Sequence, residues 1–182
     1  MKAKTLFAVI GLTVVAVFAS AVALAASKGE IDASVSTALN KWHAINPNHG
    51  ELEGKAAGML VFPRITKGGV GVAGEYGEGV LIVNHQTVAY ESLSSASVGL
   101  TVGMAKHSEI ILFMTQEALD KFTNSKGWSI GAETGVALVK VGTGGAYDTE
   151  TLKKPMLGFV FGEKGLIADI SLDGSKINSI NR

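Results

Sequence analysis

The stretch Lys67-Gly-Gly-Val-Gly-Val-Ala-Gly74 decides how this chain is read. Gly69, Gly71 and Gly74 match G-x-G-x-x-G, the spacing of a loop that cradles a dinucleotide pyrophosphate. That loop works only between a strand and a helix, because the helix N-terminus holds the phosphate. A strand fits upstream, at Met59-Leu-Val-Phe62. Downstream, Gly77 and Gly79 and then the run Val80-Leu-Ile-Val83 stand where the helix belongs. Glycine costs roughly 1 kcal/mol at a helix-interior position. No Walker-type G-K-[ST] follows a glycine loop either. The reading is therefore a strand, and no nucleotide or other cofactor is expected.

Period-two alternation supports this from Ala56 onward. In Ser97-Val-Gly-Leu-Thr-Val-Gly-Met-Ala105, Val98, Leu100, Val102 and Met104 form one face. Ser97, Gly99, Thr101, Gly103 and Ala105 form the other. The same division recurs at Val70–Ala73 and, less cleanly, at Ser129–Val136. Such strands have one bulky and one nearly bare face. Glycine weakens a strand unless another backbone must come close, so the glycines read as seats for a neighbouring element. A tapered, half-closed barrel or a sandwich uses such seats.

Two helices flank or interrupt the strands. Ile31, Val35, Ala38, Leu39, Trp42 and Ile45 form one apolar stripe, which Asn46-Pro47-Asn48 ends. Thr115 is placed to cap Gln116–Thr123, with Gly127 as its stop. Met156–Phe161, Leu166–Leu172 and Ser175–Asn178 read as closing strands, with turns at Gly162–Gly165 and Asp173-Gly174. The expected class is α+β: a mainly antiparallel, glycine-rich sheet with an N-terminal amphipathic helix and one inserted helix.

The first 25 of the 182 residues read as a signal peptide. Lys2 and Lys4 precede an apolar run from Leu6 to about Val22, and Ala23-Leu24-Ala25 is a small-x-small cleavage pattern. An uncleaved anchor is the alternative, since the run approaches the length that spans a bilayer. Residues 26–182 then form a single domain. Without Lys2 and Lys4, 14 basic residues face 16 acidic ones, a net charge of −2, which gives no global field for nucleic acid. The absence of cysteine excludes disulfides, thiolate metal sites and a lipoprotein anchor. The expected location is the periplasm or cell envelope.

Chemistry is sparse. His43, His49, His85 and His107 show no H-x-x-x-H spacing and read as surface residues, so no metal site is expected. Ser92, Ser94, Ser95 and Ser97 lie outside any G-x-S-x-G. Glu75 and Glu133 interrupt bare strand faces. They read as structural, solvated or paired with a lysine, rather than as an acid–base pair. Lys28, Lys41, Lys55, Arg64 and Lys67 are candidates for an anionic membrane surface, with Trp42 and its stripe as the anchor. The competing reading packs the stripe on the sheet and leaves the charges solvated.

Several ordered blocks resemble one family. Gly58-Met-Leu-Val-Phe-Pro-Arg-Ile-Thr-Lys-Gly-Gly69 followed by Gly77-Glu-Gly79 is similar to the opening signature of the SYLF domain. Tyr90-Glu-Ser-Leu-Ser-Ser-Ala-Ser-Val-Gly-Leu-Thr-Val-Gly103 resembles its central strands. Phe113-Met-Thr-Gln-Glu-Ala-Leu-Asp-Lys-Phe122 with Ser125-Lys-Gly-Trp128 resembles its helix and tryptophan. Phe159-Val-Phe-Gly-Glu-Lys-Gly-Leu166 resembles its closing hairpin. The resemblance covers about residues 30 to 182. It implies a non-enzymatic domain that binds lipid, phosphoinositides in eukaryotic members, and an exported lipid-binding protein in bacteria. It implies no catalytic residue and no cofactor. The second reading is a cell-envelope structural or protein-interaction module. A small outer-membrane barrel is disfavoured, because aromatic residues are only 7% of the chain, too few for interfacial girdles.

Overall fold

The computed structural model describes residues 26–131, 134–139, 147–162, 165–166, 172 and 174–182. The expected signal peptide, Glu133, and most of the expected strand Leu166–Leu172 lie outside the described residues.

Helix α1 (Lys28–Ile45) begins with a capping box. The Ser27 hydroxyl accepts the Glu30 amide, and the Glu30 carboxylate accepts the Ser27 amide at 2.8 Å. Such caps contribute about 1 kcal/mol. Ile31, Val35, Ala38 and Trp42 are buried, so the stripe faces the sheet. A short helix, α2 (His49–Lys55), follows, where the sequence reading placed no element. Its glycines at 50 and 54 disguise it in the sequence, and burial of His49 and Leu52 holds it. Among the described residues no helix is long and apolar enough to cross a membrane.

Strands β1 (Gly58–Val83) and β2 (Gln86–Phe113) form one antiparallel hairpin of unusual length. Gly69, Gly71 and Gly74 all lie within β1, and the chain after them continues as strand. Asn84 and His85 make the two-residue turn, both with positive φ (50° and 60°), as a type I′ turn requires. Strands of 26 and 28 residues cannot stay straight against a small core. Register shifts between Phe62 and Ile65, Val70 and Val72, and Leu81 and Ile82 bend them. The hairpin curls until the start of β1 lies against its own end. A Cβ on Gly77 would stand 2.8 Å from the Arg64 carbonyl oxygen, and one on Gly79 would stand 2.1 Å from that of Val61. Neighbouring backbone thus comes close at Gly77 and Gly79, whereas at Gly131, one of the expected seats, a Cβ would meet nothing within 4 Å.

The free edge of β2 is shared. Tyr90–Ser94 pairs with β7 (Lys176–Ile180), and Ser108–Phe113 pairs with β5 (Met156–Gly162). Strand β3 (Trp128–Ser129) extends the β7 side. On the β5 side lie the parallel β4 (Val136–Leu138) and β6 (Gly165–Leu166), which forms the expected hairpin at Gly162–Gly165. The described strands thus form one curled, seven-stranded, mainly antiparallel sheet, in an α+β fold.

Both faces of the sheet are covered. Met59, Val61, Ile110, Leu112 and Phe159 pack with α1. Leu60, Phe62, Ile111, Phe113 and Val160 pack with α3 (Gln116–Thr123). Double coverage explains the continuous apolar runs at 59–62 and 110–113.

Two expectations need correction, and one further element was not anticipated. The strand expected over Ser129–Val136 is broken. The Thr134 hydroxyl donates to the Gly131 carbonyl at 2.6 Å and accepts from its amide, and Gly135 has φ of 72°, so the chain turns there. Thr115 caps α3 as expected, its hydroxyl accepting the Ala118 amide. The helix ends, however, at Asn124 in right-handed conformation, and Gly127 takes positive φ (92°) only three residues later. Finally, a one-turn helix, α4 (Thr149–Leu152), capped by Asp148, was not foreseen.

Candidate cationic cleft and a buried polar cluster

The bulge in β1 builds the first site. Phe62 pairs with Glu109 and Ile65 with His107, so Pro63 and Arg64 together face the single residue Ser108. Proline lacks an N–H and suits a bulge, where no ladder bond is lost. The Ser108 hydroxyl donates to the Pro63 carbonyl at 2.8 Å and fastens the bulge. Arg64 is thereby turned outward, toward α1.

A cleft of about 200 Å³ opens there. Ser34, Thr37 and Lys41 line one wall, at spacings that share a helix face. Arg64, Lys106 and Ser108 line the other. Three cations and three hydroxyls thus meet at one opening. Among the described residues no carboxylate lies within ion-pair distance of Lys41, Arg64 or Lys106. Chemically, such a cleft suits an anion with several acceptor oxygens.

The other sequence candidates scatter. Trp42 is 0% exposed, stacked on His49 at 4.2 Å and edge-on to Phe159. It is a core residue, and the apolar stripe is spent on the sheet rather than left as a surface anchor. Lys28 sits over the Tyr90 ring at 5.2 Å. Lys55 pairs with Glu51 one helical turn away. Lys67 points to the opposite face of the hairpin from the cleft and pairs with Glu75 at 2.7 Å. Lys106 was missed. Its only sequence signal is its position in β2, which acquires meaning once the register sets it across from Thr66, beside Arg64.

Glu75 is paired with a lysine, as expected, but it is also buried, and it is not alone. The curl that seats Gly77 over Ile65 brings Glu75 toward His107 and Glu109. His107 Nε2 lies 3.0 Å from Glu109 Oε1, and Ser95 donates to Glu75 at 3.1 Å. Burial pushes the Glu109 carboxyl pKa up, against the opposing pull of His107. His107 and His49 are both buried, which corrects the surface reading for these two histidines. His49 contacts the Trp42 carbonyl through Nδ1, and burial holds its pKa below the ordinary histidine value.

Comparison with known families gives a match. Residues 94–181, from the middle of β2 through β7, match the family Ysc84, described as Las17-binding protein actin regulator. No curated protein sequence matches the chain significantly.

Proposed function

We propose that this chain, whose residues 94–181 match a model of the Ysc84 (SYLF) family, binds anionic lipid headgroups at a membrane surface, without catalysis, through the cleft of Lys41, Arg64 and Lys106. The observation that carries this is the convergence of three cations from α1, β1 and β2 with no described carboxylate to neutralise them. A second observation supports it. Met104 lies two residues from Lys106 on the same strand face and is 77% exposed, and Val70, opposite Val102, is 79% exposed. Apolar side chains beside cations suit the boundary between headgroups and acyl chains. The family is one of binding domains, in keeping with a non-enzymatic role. The signal-like residues 1–25 support action outside the cytoplasm, in the periplasm or envelope. N-terminal sequencing of the exported protein checks that part.

The test is co-sedimentation with phosphatidylglycerol vesicles and, as control, phosphatidylcholine vesicles. Each cation near an anionic surface contributes about 1 kcal/mol. Arg64→Ala and Lys106→Ala should therefore each weaken binding roughly five-fold, while Lys55→Ala, already paired with Glu51, should change it little. Raising salt should weaken binding by wild type. A folded protein that ignores anionic vesicles overturns the lipid reading. Specific capture of an envelope protein by that lipid-blind protein would favour the interaction-module reading.

A further inference from the structure

We propose that Glu75, His107 and Glu109 form a binding site for one divalent metal ion of the zinc class. The three side chains come from β1 and β2, and each places a ligand atom within 4.8 Å of the others. All three are buried. Two carboxylates and one imidazole are a donor set that zinc and neighbouring divalent metals accept. The 3.0 Å separation of His107 Nε2 and Glu109 Oε1 suits two ligands sharing one ion at bond lengths of about 2.1 Å.

A second observation points to a ligand. Glu109 Oε2 is fully buried and finds no hydrogen-bond partner among the described residues. Orphaned buried polar atoms are uncommon in folded proteins, and an absent ion is one of their standard causes. A carboxylate oxygen without a donor, beside a second carboxylate, is where a cation is most favourable.

Lys67 supplies the entry. Its ammonium stands 2.7 Å from Glu75 and is the resident positive charge of the cluster. Its side chain remains a quarter exposed, so it reaches solvent by rotating outward. Lysine and metal compete for the same carboxylate. By strand parity Lys67, His107 and Glu109 leave the hairpin on the face opposite Lys106 and Ser108, and His107 also borders the cationic cleft, so the two sites are neighbours.

The probes are Zn²⁺ and Co²⁺ alone, added to the purified protein. Native mass spectrometry should show one retained ion, and Co²⁺ should give a visible absorption band of low-coordinate geometry. Glu109→Gln should weaken binding about 100-fold, as loss of a ligand outweighs the 10–100-fold cost of losing an outer-shell partner. Lys67→Met should tighten it, because the competing cation is gone. A closed salt-bridge network without a metal predicts the reverse for Lys67→Met: lower stability, with no rescue by Zn²⁺. Absence of stoichiometric binding overturns the proposal. So does binding that survives both Glu109→Gln and Glu75→Gln. If those variants fail to fold, the wild-type imidazole NMR signals decide. A Co²⁺-induced shift of the His107 resonance supports the site, whereas a shift confined to His43 or His85 overturns it.

Discussion

Gly79→Ala should cost at least about 3 kcal/mol of folding stability. The new methyl would lie 2.1 Å from the Val61 carbonyl oxygen and 2.8 Å from the Phe62 ring. A side-chain tip gives way cheaply, but the Val61 carbonyl belongs to the stretch of β1 that is laddered to β2. Relief requires the two ends of β1 to separate, which opens the core around Phe62 and Leu81. Overpacking of this kind typically costs 1–3 kcal/mol, and obstruction by backbone stands at the upper end or beyond. Urea unfolding measures the difference as a lower midpoint at unchanged slope. Gly54→Ala is the matched control. A Cβ there meets nothing within 4 Å, and the site is helical, so a gain of up to about 1 kcal/mol is expected. Equal stability of Gly79→Ala and wild type would mean that β1 does not cross itself in backbone contact.

Glu91→Gln should stabilise the protein by about 2 kcal/mol at pH 8 and by only about 0.5 kcal/mol at pH 5. Glu91 is buried on β2 with no ion-pair partner among the described residues, and burial raises its pKa from 4.5 to about 7. The folded state therefore holds the proton more tightly than the unfolded chain. Below about pH 4.5 both states are protonated and there is no penalty. Between about 4.5 and 7 the unfolded chain ionises freely while the folded one resists, so stability falls as pH rises. Above 7 the full penalty is present. At about 1.4 kcal/mol per pH unit the ceiling is roughly 3 kcal/mol. Glu91 also borders a cleft with Lys126 and Trp128, and access to solvent there lowers the expectation to about 2. Denaturant curves for both proteins at pH 5, 6, 7 and 8 test this. Parallel curves across that range would show that Glu91 ionises without penalty.

The two sites differ in how far they were legible. Lys41 and Arg64 were visible as cations near a helix–strand junction, but nothing local distinguished them from Lys55 and Lys67. The bulge at Pro63–Arg64 and the hairpin register made that distinction. The Glu75–His107–Glu109 cluster had no sequence signature, because metal spacings are recognisable when ligands share one helix or loop, and these lie on two strands 32 residues apart at their nearest.

The sequence by itself determined the elements whose causes are local. Ser27 and Thr115 cap the helices they precede, the stripe from Ile31 to Trp42 repeats at helical period, and the residues after Gly74 alternate as strand. Tertiary structure alone decided what those elements meet. Whether Trp42 faced lipid or protein depended on the competing apolar surface that the sheet offered, and Phe159 and the stacked His49 supplied it. Whether Glu75 was a solvated strand residue or part of a buried cluster depended on a hairpin curling over two glycines. Contacts of that kind depend on register and curvature summed over dozens of residues, which no short window of sequence encodes.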